Sequence, residues 1–136
     1  MRVLVDTSAW SLALRRESPV NHRLTKEMRS LVSDHRVEII GPIRQELLSG
    51  IREKIQFERL QNHLAAFPDL PIWTEDYVIA AKFYNLCRSK GVQGSNTDFL
   101  ICAVAERNNC NLFTTDKDFQ VFSKYIQVKP HHAQIE

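Results

Sequence analysis

The sequence predicts one doubly wound α/β domain, a mostly parallel sheet of about five strands flanked by helices on both faces. Three observations carry this prediction. Short apolar runs of strand character alternate with longer stretches of helical period. Each interval between runs is long enough for a βαβ crossover. The 136 residues, 43% of them hydrophobic and 25% charged with only 4 Gly and 5 Pro, suit one domain with a buried core and exclude a disordered or collagen-like chain.

The elements follow in order. Arg2-Val-Leu-Val-Asp6 is an apolar run closed by a carboxylate, and reads as a buried strand. A helix follows at once, capped by Thr7 or Ser8 and carrying Trp10, Leu12 and Leu14, until Glu17-Ser-Pro19 breaks it. Between Asn21 and His35, Leu24, Met28, Leu31 and Val32 recur at helical spacing. Val37–Ile40 is a second strand, closed by Gly41-Pro42. Pro42 suits the first turn of a helix over Ile43–Ser49 that stops at Gly50. Glu53–Phe67 is a charged amphipathic helix, and Leu70–Trp73 a short third strand. Thr74, Glu75 and Asp76 begin the next helix, which ends at Gly91. Asn96 or Thr97 caps an apolar helix running to about Asn108. Asn111–Thr115 and Tyr125–Lys129 are the fourth and fifth strands, joined by a turn of helix near Phe119–Phe122. Trp10 and Trp73 are expected in the core. The domain is placed at residues 1–130, with a polar C-terminal tail at 131–136.

Several classes of protein are excluded. The longest apolar run, Phe99 to Ala105, has seven residues, where a membrane helix needs about 20. Asp6 interrupts the first apolar run, so no secretory leader is expected, and the reading is a soluble, cytoplasmic protein. Cys87, Cys102 and Cys110 form no C-x-x-C pair and leave one over in any disulfide scheme; reduced thiols are expected, with Cys102 packed as a small apolar side chain. No two of the five histidines share an i, i+4 face, so no H-E-x-x-H zinc site is present.

The carboxylates carry the chemistry. In such a sheet, ligands sit outside the carboxyl ends of the strands, near the point where strand order reverses. Asp6 closes the first strand and Asp116 follows the fourth. Asp98 lies in the first turn of the apolar helix, and Glu46 on a short helix whose Ile43 and Leu47 face inward. Singly, each has an ordinary explanation as a cap, a helix-dipole partner or a solvated acid. Four acids reaching one crevice would repel strongly unless a cation neutralised them. Oxygen-only ligands select a hard ion, Mg²⁺ or Mn²⁺, and such ions commonly organise phosphates.

Val5-Asp-Thr-Ser-Ala-Trp10, Glu46-Leu-Leu-Ser-Gly50, Thr97-Asp-Phe-Leu-Ile-Cys-Ala103 and Thr114-Thr-Asp-Lys-Asp-Phe119 resemble the successive acidic motifs of PIN-domain nucleases. The likeness is closest to the VapC toxins of bacterial and archaeal toxin–antitoxin pairs, and spans Arg2 to about Val128. It implies that Asp6, Glu46, Asp98 and Asp116 form the catalytic, metal-binding site, with Ser8 and Thr114 as orienting hydroxyls. Asp118 either adds to that site or caps the turn before Phe119. Cys102 stands where the family more often has alanine, and nothing is carried over for Glu53–Phe67. The implied activity is Mg²⁺- or Mn²⁺-dependent hydrolysis of RNA, leaving a 5′-phosphate and a 3′-hydroxyl. The implied partners are a second copy in a homodimer and a cognate small antitoxin that inserts an arginine near the acids. The apolar helices at Trp10–Leu14 and Leu24–Val32 are the expected antitoxin receptors.

Charge fits a polyanionic substrate. Eighteen Lys and Arg against sixteen Asp and Glu give +2; with the four site acids set aside, the surplus on the rest of the molecule is +6. Arg15, Arg16, Arg44, Arg52 and Lys54 are the RNA-binding candidates. Rival readings are an RNA-processing PIN nuclease without antitoxin and a catalytically silent PIN-like module that binds RNA or protein. The presence of all four acids disfavours the silent module. A response-regulator receiver needs paired acids near the first strand, which offers Asp6 alone. A haloacid-dehalogenase phosphatase needs D-x-D, and position 8 is Ser.

Overall fold

The computed structural model of the protein describes residues 1–14 and 22–132. Three parallel strands, β1 (Val3–Val5), β2 (Val37–Glu38) and β3 (Asn111–Phe113), form a sheet in the order β2-β1-β3. Val3 is in register with Val37 on one side and Asn111 on the other. Parallel neighbours require crossovers. Helices α1 (Thr7–Leu14) and α2 (His22–Ser33) connect β1 to β2; α3 (Gly41–Leu48), α4 (Lys54–Leu64), α5 (Thr74–Ser89) and α6 (Asn96–Arg107) connect β2 to β3. Helix α7 (Asp118–Phe122) follows β3. α1 packs on α2 and α3, α3 on α4, and α5 on α6. The chain moves outward from β1 to β2 and returns past β1 to β3, so the reversal of strand order falls between β1 and β3.

Two expected strands shrink to single bridges. Asp69 pairs with Ile39 and Pro130 with Leu112, both parallel, on the outer sides of β2 and β3. These bridges occupy the edge positions that the third and fifth strands were expected to fill. Prolines explain their brevity. Pro68 and Pro71 bracket one bridge and Pro130 forms the other, and proline cannot donate to a ladder. The paired N–H groups come from Leu70, which donates to the Ile39 carbonyl at 2.8 Å, and His131, which donates to Leu112 at 2.8 Å. His131, expected in the polar tail, is therefore held in the fold. Its Nε2 lies 2.7 Å from Glu27 of α2 and its ring packs on Phe113.

Apolar sequence became core where helix and sheet meet. Val3, Leu4 and Val5 are fully buried, and all seven residues of Phe99–Ala105 are buried in α6, which explains why that helix lacks a polar face. Trp10 is buried as expected, packed edge-on against Phe67. Trp73 is not: it is 54% exposed, with the Arg107 guanidinium 3.8 Å from its ring centroid. All three cysteines are free and buried, which pushes their thiols up and leaves Cys102 a packing residue. Among the described residues no helix is long and apolar enough to cross a membrane.

Candidate active site

Asp6 is the centre of the strand-end crevice. It is 7% exposed at the end of β1, and its carbonyl accepts the first helical bond of α1 from Trp10. Asp6 therefore caps α1, the role expected of Thr7 or Ser8. The Thr7 N–H donates to Asp6 Oδ1 at 2.7 Å, while the hydroxyls of Ser8 (3.0 Å) and Thr114 (2.8 Å) donate to Oδ2. The two hydroxyls are 3.2 Å apart, and they also accept from the Thr115 and Asp116 N–H groups. Ser8 and Thr114 thus tie α1 to the segment after β3 and fix the Asp6 carboxylate between them.

Asp98 approaches from the α6 layer. Ser95 is the cap of α6, not Asn96 or Thr97: its hydroxyl accepts from Asp98 N–H and its own N–H donates to Asp98 Oδ2. The Ser95-x-x-Asp98 spacing is a capping-box pattern, legible in the sequence and overlooked there. Burial pushes the Asp98 carboxyl above its ordinary value, against hydrogen bonding from Ser95, and the charges of Asp116 and Asp6 push it further. That direction reports three carboxylates sharing one low-dielectric neighbourhood.

The loop before α6 is held by close packing. A Cβ at Gly94 would lie 2.6 Å from Phe122 Cζ and 2.9 Å from the Phe99 ring, and both rings are buried. Gly94→Ala should therefore cost roughly 1–3 kcal/mol of stability, read as a lowered denaturant midpoint at unchanged slope. A neutral result would show that these rings can step aside.

Glu46 is exposed on α3, where Thr7 Oγ1 donates to its Oε2 at 3.2 Å. Thr7 therefore bridges Asp6 and Glu46, a role that sequence reasoning missed because the residue was read only as a cap. Asp116 Oδ1 accepts from Asp118 N–H at 2.9 Å. Asp116 thus caps the turn into α7, the capping role considered for Asp118, whose side chain is exposed.

The donor set suits a hard divalent cation in kind, since every group is oxygen and a cation would offset the burial, and the added repulsion from Asp116 and Asp6, that raise Asp98. The acids are coupled without being drawn together. Among the described residues no three His, Cys, Asp or Glu side chains converge closely enough to hold a metal ion.

The basic candidates separate. Arg15 and Arg16 lie outside the described residues. Arg44 is committed: its guanidinium pairs with Asp69 at 3.0 Å and donates to the Leu64 and Phe67 carbonyls at the end of α4. It holds the edge bridge in place and is not a free phosphate ligand. Arg52 and Lys54 are exposed at the start of α4, with Lys54 4.0 Å from Glu58.

A family model described as PIN domain matches residues 3–125. Similar solved structures include FitAcB from Neisseria gonorrhoeae, 20% identical over 94% of this chain and 97% of that one, with a TM-score of 0.74. VapBC2 from Rickettsia felis, bound to a DNA fragment from its promoter, is 17% identical over 96% and 98%, with a TM-score of 0.77. VapBC-1 from nontypeable Haemophilus influenzae is 18% identical over 96% and 97%, with a TM-score of 0.75. At these identities the likeness is one of fold. No curated protein matches the chain in sequence.

Proposed function

The chain belongs to the PIN-domain family, whose members are generally nucleases, and on that premise we propose that it is a metal-dependent endoribonuclease acting as the toxin of a VapBC-type pair. The observation that carries the proposal is Asp98. Its carboxyl, on the first turn of α6, is raised by burial and further by the charges of Asp116 and Asp6, and Asp6 stands at the strand-order reversal where ligands bind in such sheets. Asp6, Asp98 and Asp116, with Glu46, would hold Mg²⁺ or Mn²⁺. When bound, such an ion supplies a Lewis acid and a water of lowered pKa.

The chain's own residues perform the positioning. Ser8 and Thr114 fix Asp6, Thr7 links it to Glu46, and Ser95 orients Asp98. Asp118 is exposed beside Asp116 and free to add a carboxylate at the rim of the site. Arg52 and Lys54 offer exposed positive charge to an RNA backbone; Arg15 and Arg16 are proposed for the same track on sequence alone.

The likeness in fold to chains crystallised as VapBC supports a cognate small antitoxin. Of its expected receptor residues, Trp10, Met28 and Leu31 already belong to the core, so Leu14 and Val32, each 37% exposed, are the most exposed apolar contacts left to offer. A homodimer is part of the same proposal, and the exposed Val78, Ile79 and Leu86 of α5 give it apolar surface to cover. The proposed domain remains 1–130, with His131 packed against it.

The test is cleavage of a total RNA pool by purified protein with Mg²⁺ or Mn²⁺, with EDTA, and by Asp98→Asn. Defined fragments with 5′-phosphate ends that need metal and vanish in the variant are the expected result. RNA binding without cleavage would instead favour the silent module.

A further inference from the structure

α6 turns Asp98 toward the acidic crevice on one side of its first turn. On the other, α5 and α6 leave between them a groove of about 330 Å³ lined by Tyr77, Ala80, Ala81, Asn96, Thr97 and Leu100. That size lies within the roughly 300–1,000 Å³ of small-molecule sites. Asn96 and Thr97 share the first turn of α6 with Asp98, so the groove and the acids flank the same end of that helix. No charged side chain lines it.

We propose that this groove seats an unpaired nucleobase of the RNA strand whose backbone crosses the acidic crevice. The inference rests on the nuclease reading and adds a base subsite to it. The lining matches a base better than the alternatives. A phosphate would need cations, and a protein helix would need a continuous apolar wall, whereas three of the six lining residues are polar. Tyr77 is 56% exposed and offers a ring face for stacking. Ala80, Ala81 and Leu100 form an apolar floor, and the Asn96 amide and Thr97 hydroxyl supply donors and acceptors for a base edge. One turn beyond Ala81, Tyr84 carries the Arg88 guanidinium 6.0 Å from its ring, which leaves positive charge at the end of the groove. Single-stranded recognition combines these elements: an aromatic face for the base and a cation for the backbone.

The test uses full-length protein in EDTA and short single-stranded RNAs carrying 2-aminopurine at one position, read by fluorescence and affinity. Wild type is expected to quench the probe at a preferred position. Tyr77→Ala should lose the quench and bind about tenfold more weakly, the usual scale for removing one base-stacking aromatic, while Tyr77→Phe retains both. An abasic site at the preferred position should make wild type bind like Tyr77→Ala. Because Tyr77 is exposed, the variant is expected to fold, and its melting curve checks this.

Tyr77→Ala binding and quenching like wild type would overturn the subsite. So would an altered sedimentation mass with RNA affinity unchanged, which would assign the groove to protein contact, and so would a wild type that binds no RNA. The two readings separate in parallel cleavage assays with Mg²⁺. Tyr77-dependent binding without cleavage keeps the subsite and removes the nuclease, and cleavage indifferent to Tyr77 does the reverse.

Discussion

Asp6→Asn is expected to abolish RNA cleavage, by at least about a hundredfold, in a protein that stays folded. Both halves follow from what Asp6 touches. An asparagine keeps one carbonyl oxygen for the Thr7 N–H that Asp6 Oδ1 now accepts at 2.7 Å. Its amide then faces the Ser8 and Thr114 hydroxyls, which can turn from donors to acceptors. The structural cost is therefore on the order of 1 kcal/mol, a small shift in melting temperature. What is lost is the negative charge, and that charge is the reason for three donors to converge on a side chain only 7% exposed. Ser8→Ala and Thr114→Val should lie between wild type and Asp6→Asn, with losses of about 10- to 100-fold, because they orient the acid without replacing it. Rates measured on one defined RNA, beside thermal melts of each variant, decide the matter. An Asp6→Asn protein retaining a tenth of wild-type activity would remove Asp6 from the centre of the chemistry.

The order of elements was legible because hydrophobic period and punctuation agreed. Gly41-Pro42, Gly50 and Gly91 fall at helix boundaries, and the all-apolar stretch Phe99–Ala105 is the helix buried most completely. The edge strands were not legible at their true length. Their apolar residues promise a ladder that Pro68, Pro71 and Pro130 cannot complete. Among the acids, sequence order placed Asp6 at the end of β1 and Asp116 just after β3, and Asp98 feels the charges of both, but Glu46 and Asp98 reach this region from helices. What sequence could not supply was the supporting shell. Whether Thr7 faces Glu46, whether Ser95 rather than Asn96 caps α6, and whether Arg44 points at solvent or at the Leu64 and Phe67 carbonyls are questions of side-chain direction. Trp73 fails for the same reason. Large aromatics are usually buried, but this one is held at the surface by the Arg107 guanidinium across its ring.

Arg107→Ala is expected to be the most destabilising single change outside the core, at roughly 3–5 kcal/mol. Arg107, in the last turn of α6, reaches across to Asp76, in the first turn of α5. Nε donates to Asp76 Oδ1 at 2.7 Å, and Nη2 donates to Oδ2 at 2.9 Å and to the Pro71 carbonyl at 2.7 Å. Each charge sits at the helix end whose dipole favours it. Asp76 Oδ2 also accepts the Trp73 N–H at 2.8 Å, capping α5. Burial alone would push the Asp76 carboxyl up, but the hydrogen bonds from Arg107 and Trp73 and the Arg107 charge outweigh it and hold the group below its ordinary value. The sign of the pH dependence follows. A carboxyl lowered in the folded state stabilises the protein above the unfolded value of about 3.9 and loses that contribution as pH falls through the folded value. Removing Arg107 reverses this. A carboxylate 1% exposed is left unpaired, its burial is no longer outweighed, and protonation then relieves the strain. The stability deficit of Arg107→Ala, read from urea melts, should therefore be largest near pH 7, worth roughly 10 °C in melting temperature, and should shrink toward pH 4. Asp76→Asn combined with Arg107→Ala should cost less than the sum of the two single changes. A deficit below about 1 kcal/mol, or one that does not change between pH 7 and pH 4, would show that the pair is an ordinary surface bridge and that packing between α5 and α6 alone holds this side of the domain.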